Sequence, residues 1–185
     1  MKRITDYWQT SAAQPAAAEN GRKSRTQLLV TAALLAALAA ILQSAGGLLP
    51  GIGYAVSPLA TLPIALAALL TAGSGISAYV VTIGLLVLLQ PGELFIFPFT
   101  TGLLGLAIGL SLLMFKKKWV AIFVGGSALF LGILFLVSVL RFPLFGPETV
   151  PGVMLLGGCA GFAIVYSWIW TEVILFFRKR LPFFR

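Results

Sequence analysis

The chain has 185 residues, 59% of them hydrophobic and 10% charged, with a mean hydropathy of +1.03. That leaves too little polar surface to enclose a water-soluble core, so the composition excludes an ordinary soluble domain and implies an integral membrane protein. The net charge of +8 comes from short basic clusters flanking apolar runs, the distribution retained at an anionic cytoplasmic leaflet rather than a face for nucleic acid.

Residues 1–26, rich in Ala, Gln, Ser and charge, read as a flexible cytoplasmic tail that touches the bilayer at most through Tyr7 and Trp8. Apolar runs follow at 27–49, 55–72, 74–90, 94–115, 119–140 and 152–177. They are separated by "PGIG", "AGSG", "PGE", "KKK" and "RFPLFGPETVPG". The expected architecture is therefore an all-α bundle of six transmembrane helices over residues 27–180, with a short cytoplasmic tail at 181–185. The second run carries Pro58 and Pro63, and the third has only "ISAYVVTIGLLVLLQ" before Pro91. Fifteen residues of helix reach about 22 Å against a hydrocarbon core of about 30 Å. Either both runs span, or 52–90 forms one span and a re-entrant piece.

Charge parity favours two spans. With the N-terminal tail inside, six helices place Lys116, Lys117 and Lys118 inside, together with Arg178, Lys179, Arg180 and Arg185, so that 12 of the 13 basic residues face the cytoplasm. Merging the second and third runs moves the three lysines outside. Both termini are thus expected to be cytoplasmic, in a multi-pass protein of the cell membrane. A signal peptide over the first run, with "QSAG" as its cleavage site, is the alternative; the long preceding tail and the length of the run weigh against it.

The sequence has one cysteine, Cys159, and no histidine. An intrachain disulfide, the usual zinc, haem and two-histidine iron sites, and Ser-His-Asp or Cys-His catalysis are excluded on that ground. The five acidic residues, Asp6, Glu19, Glu93, Glu148 and Glu172, are well separated, which speaks against an enzyme. No metal or cofactor is expected.

Glu93 is the sole charged residue between Arg25 and Lys116. The topology puts it at the outer boundary near the start of the fourth helix, where the helix dipole favours a carboxylate by about 0.3–1 kcal/mol. That is one reading. The other takes Glu93, Arg141, Glu148, Tyr54, Phe95, Phe97 and Phe142 as a few polar and aromatic groups above an uncharged bundle, the ingredients of a small-molecule pocket. Arg141 is either part of that pocket or paired with Glu148 across its own loop. Glu172, six residues before Arg178, either snorkels toward the cytoplasmic interface or acts as an intramembrane protonation site. Trp119, Trp168 and Trp170 fit an interfacial belt.

Small residues mark contact faces. In the first run Ala32, Ala36 and Ala40 form one row and Ala33 and Ala37 an adjacent one. The fourth carries Gly102, Gly105 and Gly109, the fifth Gly125 and Gly126, and the last Gly157, Gly158 and Gly161. In lipid such rows permit close backbone approach, to a helix of this chain or of another. No internal repeat of the kind found in inverted-repeat carriers is present.

Six helices in this length, the A-x-x-x-A rows of the first helix, the Pro/Gly loop before the second and the Gly-rich "FPFTTGLLGLAIG" of the fourth resemble the substrate-binding S components of energy-coupling factor (ECF) transporters and related bacterial membrane proteins. The resemblance implies an S-component-like bundle that captures a vitamin or related micronutrient at the outer face. It also implies docking on a membrane coupling subunit driven by two cytoplasmic ATPases. The contact to that subunit would fall on Ala32, Ala33, Ala36, Ala37 and Ala40, and the substrate site would recruit Tyr54, Gln90, Glu93, Phe97, Arg141 and Glu148. No G-x-x-x-x-G-K-[ST] phosphate loop occurs in the chain, consistent with ATP hydrolysis on another polypeptide. The alternatives are a non-transporting membrane interaction or assembly protein, and a small secondary carrier that uses Glu172.

Overall fold

A computed structural model describes residues 24–49, 51–141 and 152–180, and the statements below refer to these. They form helices and turns with no strand, and six helical segments are long and apolar enough to cross a bilayer. The first is α1, Arg25–Leu48. It begins two residues before the apolar run because Ser24 caps it: the Ser24 hydroxyl accepts from Gln27 N–H, and the Gln27 side chain accepts in return from Ser24 N–H, both at 3.2 Å.

Segment α2 runs over Gly53–Leu70. Its prolines do not break it. Pro58 lies in a 3₁₀ turn, Ser57–Ala60, that joins two α-helical pieces, and Pro63 falls in the first turn of the second piece, Thr61–Leu70, where an absent N–H is tolerated best. From Thr61 to Leu70 every residue except Leu62 is buried. This piece is the hub of the bundle, packed by α1 and by the three helices α3, Ala72–Leu89, α4, Thr101–Phe115, and α6, Val153–Arg180.

The turn between α2 and α3 is one residue long. Thr71 is extended, and its hydroxyl accepts from Ser74 N–H at 3.0 Å, capping α3. The break therefore sits at Thr71 and not in "AGSG". Gly75 instead serves packing, since a Cβ there would stand 2.6 Å from Ala68 Cα. Both α2 and α3 are 18 residues long, about 27 Å of helix, so residues 53–89 make two helices each long and apolar enough to cross a bilayer. On α3, Ile76, Val80, Val87 and Leu88 point outward where lipid would meet them.

The fourth span departs most from expectation. Its regular helix, α4, starts only at Thr101; before it the chain folds into two 3₁₀ turns, Pro91–Leu94 and Phe97–Phe99. Phe97 is fully buried, stacked on Tyr79 with ring centroids 5.8 Å apart, and the Tyr79 hydroxyl donates to the Pro98 carbonyl at 2.8 Å. On α4, Gly105 and Gly109 lie against α2: a Cβ at Gly105 would stand 2.5 Å from the Thr61 carbonyl oxygen. The glycine pair is thus a contact within the chain.

Two residues, Lys116 in the left-handed region (φ 55°) and the extended Lys117, connect α4 to α5, Lys118–Ser138. Helices α5 and α6 run antiparallel, with Lys118 beside Glu172, Gly125 beside Ser167 and Gly126 beside Ile164. Two apolar cores result. One lies among α1, α2, α3 and Phe97, and the other among α2, α4, α5 and α6. Alternation of the spans collects Arg25, Lys116–Lys118 and Arg178–Arg180 at one end of the bundle and Glu93 at the other.

Candidate binding site

At the end opposite the basic residues, three elements bring polar side chains into the interior. Gln43, near the close of α1, is 1% exposed, and Glu93, in the Pro91–Leu94 turn, is 7% exposed. The Gln43 amide nitrogen donates to Glu93 Oε2 at 2.8 Å, and the Gln43 carbonyl accepts from the hydroxyl of Thr101, the first residue of α4, at 2.7 Å. The carboxylate sets the direction of the relay: ionised, it only accepts, which turns the Gln43 N–H toward Glu93 and its carbonyl toward the Thr101 hydroxyl, a group able to donate or accept. The first and fourth helical segments are thereby tied together at one carboxylate, in surroundings where an unmade hydrogen bond is costly.

Glycines make room for it. A Cβ on Gly46 would stand 2.7 Å from Glu93 Oε1, and one on Gly47 would collide with the Gln90 amide. The Gln90–Glu93 turn therefore rests on the bare backbone of α1. Its dihedral change is concentrated at Gln90 (φ −154°, ψ 83°), and Glu93 N–H bonds back to the Gln90 carbonyl at 3.0 Å. A four-residue 3₁₀ turn has almost no dipole, and α4 begins eight residues after Glu93. The helix-start explanation for Glu93 gives way to a side-chain network that sequence spacing did not reveal.

The other expected pocket residues are dispersed. Gln90 is half-buried beside Gly47, and Phe97 is a core peg under the turn. Tyr54 is 74% exposed, and Arg141, at φ 50° just beyond α5, also points outward. Glu148 and Phe142 lie outside the described residues. Neither Glu93 nor Arg141 makes an ion pair among the described residues. Gln43 and Thr101, which sequence reasoning missed, complete the site. A carboxamide and Ser44 interrupting the apolar run of α1 were the available signal.

No known protein family, curated protein or solved structure matches the chain.

The remaining polar groups sit elsewhere. Lys118 Nζ contacts both oxygens of Glu172, at 3.0 and 3.2 Å, so this carboxylate is paired across α5 and α6 at the basic end. Trp170 is buried with its ring edge-on to Tyr166, while Trp119 and Trp168 remain outward and suited to an interface. On α1, Ala32, Ala36 and Ala40 are buried, and the Ala36 carbonyl accepts from Thr82 of α3 at 3.2 Å. Ala33 is exposed and Ala37 half-buried. Among the described residues no group of three His, Cys, Asp or Glu converges as a metal site would require.

Proposed function

We propose that this chain is a substrate-binding membrane subunit of an ECF-type importer, capturing a small molecule at the outer face for uptake driven by ATPases on other chains. The observation that carries the reading is the Thr101–Gln43–Glu93 relay, which holds a buried carboxylate at one end of a six-span bundle. Ionisable groups inside a membrane protein mark binding or transport sites by default, because burying them is costly. The distribution of Lys and Arg orients the basic end and both termini toward the cytoplasm and Glu93 outward. Partner contact on α1 falls on Ala33 and Ala37, since the neighbouring row packs inside this chain. The resemblance of the sequence to S components supplies the importer and the vitamin class.

A membrane interaction protein without a ligand is the second reading. It is favoured by Gly157, Gly158 and Gly161 of α6, which are exposed and have no described neighbour where a Cβ would stand. Purification of the tagged chain from native membranes in mild detergent, with mass spectrometry of proteins, tests the two. The importer reading expects a coupling subunit and two ATPases. A folded preparation that brings down other membrane proteins but no ATPase overturns it.

A further inference from the structure

Glu93 has one oxygen accounted for and one open. Oε2 accepts from Gln43, whereas Oε1 has no hydrogen bond from any described residue and faces the backbone of Gly46. Over the next residue of α1, Gly47, the half-buried carboxamide of Gln90 likewise bonds to no described side chain. No lysine or arginine occurs between Arg25 and Lys116, and Arg141, the basic residue that follows α5 at this same end, is exposed and makes no ion pair among the described residues. Oε1 is not one of the fully enclosed unpaired atoms of the bundle, so a group from outside can reach it, and the ionised carboxylate has no positive partner among the described residues. A cationic group placed at Oε1 supplies the missing charge, and where it carries an N–H it supplies the hydrogen bond as well.

We propose that Glu93 Oε1, on the α1 backbone at Gly46, receives a single positive charge from outside the chain, either the ammonium group of an organic ligand or an inorganic monovalent cation. The proposal rests on the reading of this end as the ligand-binding end, and it narrows the substrate class from any micronutrient to a cationic one or one taken up together with a cation. Gln43 positions the carboxylate, and the bare backbone of Gly46 makes room for Oε1 next to Ser57.

Carbodiimide labelling of the full chain in lipid nanodiscs tests it. The rate of modification at Glu93 is followed by peptide mass spectrometry, with Glu93→Gln to assign the signal and Glu172 as an internal control. Trimethylammonium chloride and sodium chloride are the probes, tert-butanol the neutral control of matching shape, and sucrose the baseline. Occupancy of Oε1 slows labelling at Glu93 about threefold at twice the half-saturating concentration, whereas Glu172, whose pair with Lys118 salt can only loosen, is not protected. Protection by trimethylammonium assigns an organic ammonium, and protection by sodium alone assigns the inorganic ion. No protection by either, or equal protection by tert-butanol, overturns the proposal. A neutral or anionic metabolite that co-purifies without a bound cation and is lost in Glu93→Gln also overturns it, while leaving the substrate-binding reading in place.

Discussion

Replacing Gln43 by leucine removes the donor to Glu93 Oε2 and the acceptor of the Thr101 hydroxyl in one step, at a site 1% exposed. A hydrogen bond to a charged group contributes about 1.5–3 kcal/mol and a neutral one about 1 kcal/mol, so Gln43→Leu is expected to destabilise the fold by about 2.5–4 kcal/mol. Glu93→Leu leaves one Gln43 N–H orphaned, and the double variant removes both partners together. The coupling in the cycle of Gln43→Leu, Glu93→Leu and the pair is expected at about 1.5–3 kcal/mol. Neutral interhelical bonds in membrane proteins average only about 0.6 kcal/mol, so the excess reports the charge. Equilibrium unfolding in mixed micelles, followed by tryptophan fluorescence, measures it. A coupling no larger than the neutral average would show that water and not Gln43 satisfies the carboxylate, and the relay would lose its place in the account.

Other variants probe the frame around the site. Thr71→Ala removes the cap of α3 and is expected to lower stability by about 1 kcal/mol in the same unfolding assay, with Thr71→Ser restoring most of it. Gly132→Ala drives a Cβ into the Phe99 carbonyl, whereas Gly158→Ala meets open space. The first is expected to cost about 1–3 kcal/mol and the second to leave stability within about 0.5 kcal/mol. Glu172→Gln breaks the pair with Lys118, but the carboxylate side chain is 36% exposed, so the loss is expected to stay below about 1 kcal/mol and to shrink further with salt.

Span number was legible because bilayer thickness imposes a length of apolar sequence that few other constraints mimic, and the Lys116–Lys118 cluster fixed the parity. Packing faces were legible in part. The i, i+4 rows at Ala32, Ala36 and Ala40 and at Gly105 and Gly109 do mark close contacts, but spacing carries no information on whether the partner helix belongs to the same chain. Element edges moved where side chains outcompete composition, as at Ser24 and Thr71, whose hydroxyls cap helices within or beside apolar runs. The site was the least legible. Gln43 and Glu93 stand 50 positions apart, and only the folding of the Pro91–Phe99 segment against Gly46 and Gly47 brings them together. Reading "LFIFPF", from residue 94, as the start of a regular helix concealed that, because two 3₁₀ turns leave no 3.6-residue period to detect.

The most direct measurement compares wild-type chain and Glu93→Gln, each purified from native membranes in mild detergent, by mass spectrometry of retained small molecules and associated proteins. Glutamine preserves an acceptor for Gln43 and removes the charge, so the variant is expected to fold and to keep its partner subunits. The account predicts a small molecule retained by the wild type and lost from Glu93→Gln, with the coupling subunit and ATPases recovered in both. Identical small-molecule content in the two preparations, or none in either from well-folded protein, would contradict the assignment of Glu93 to a binding site.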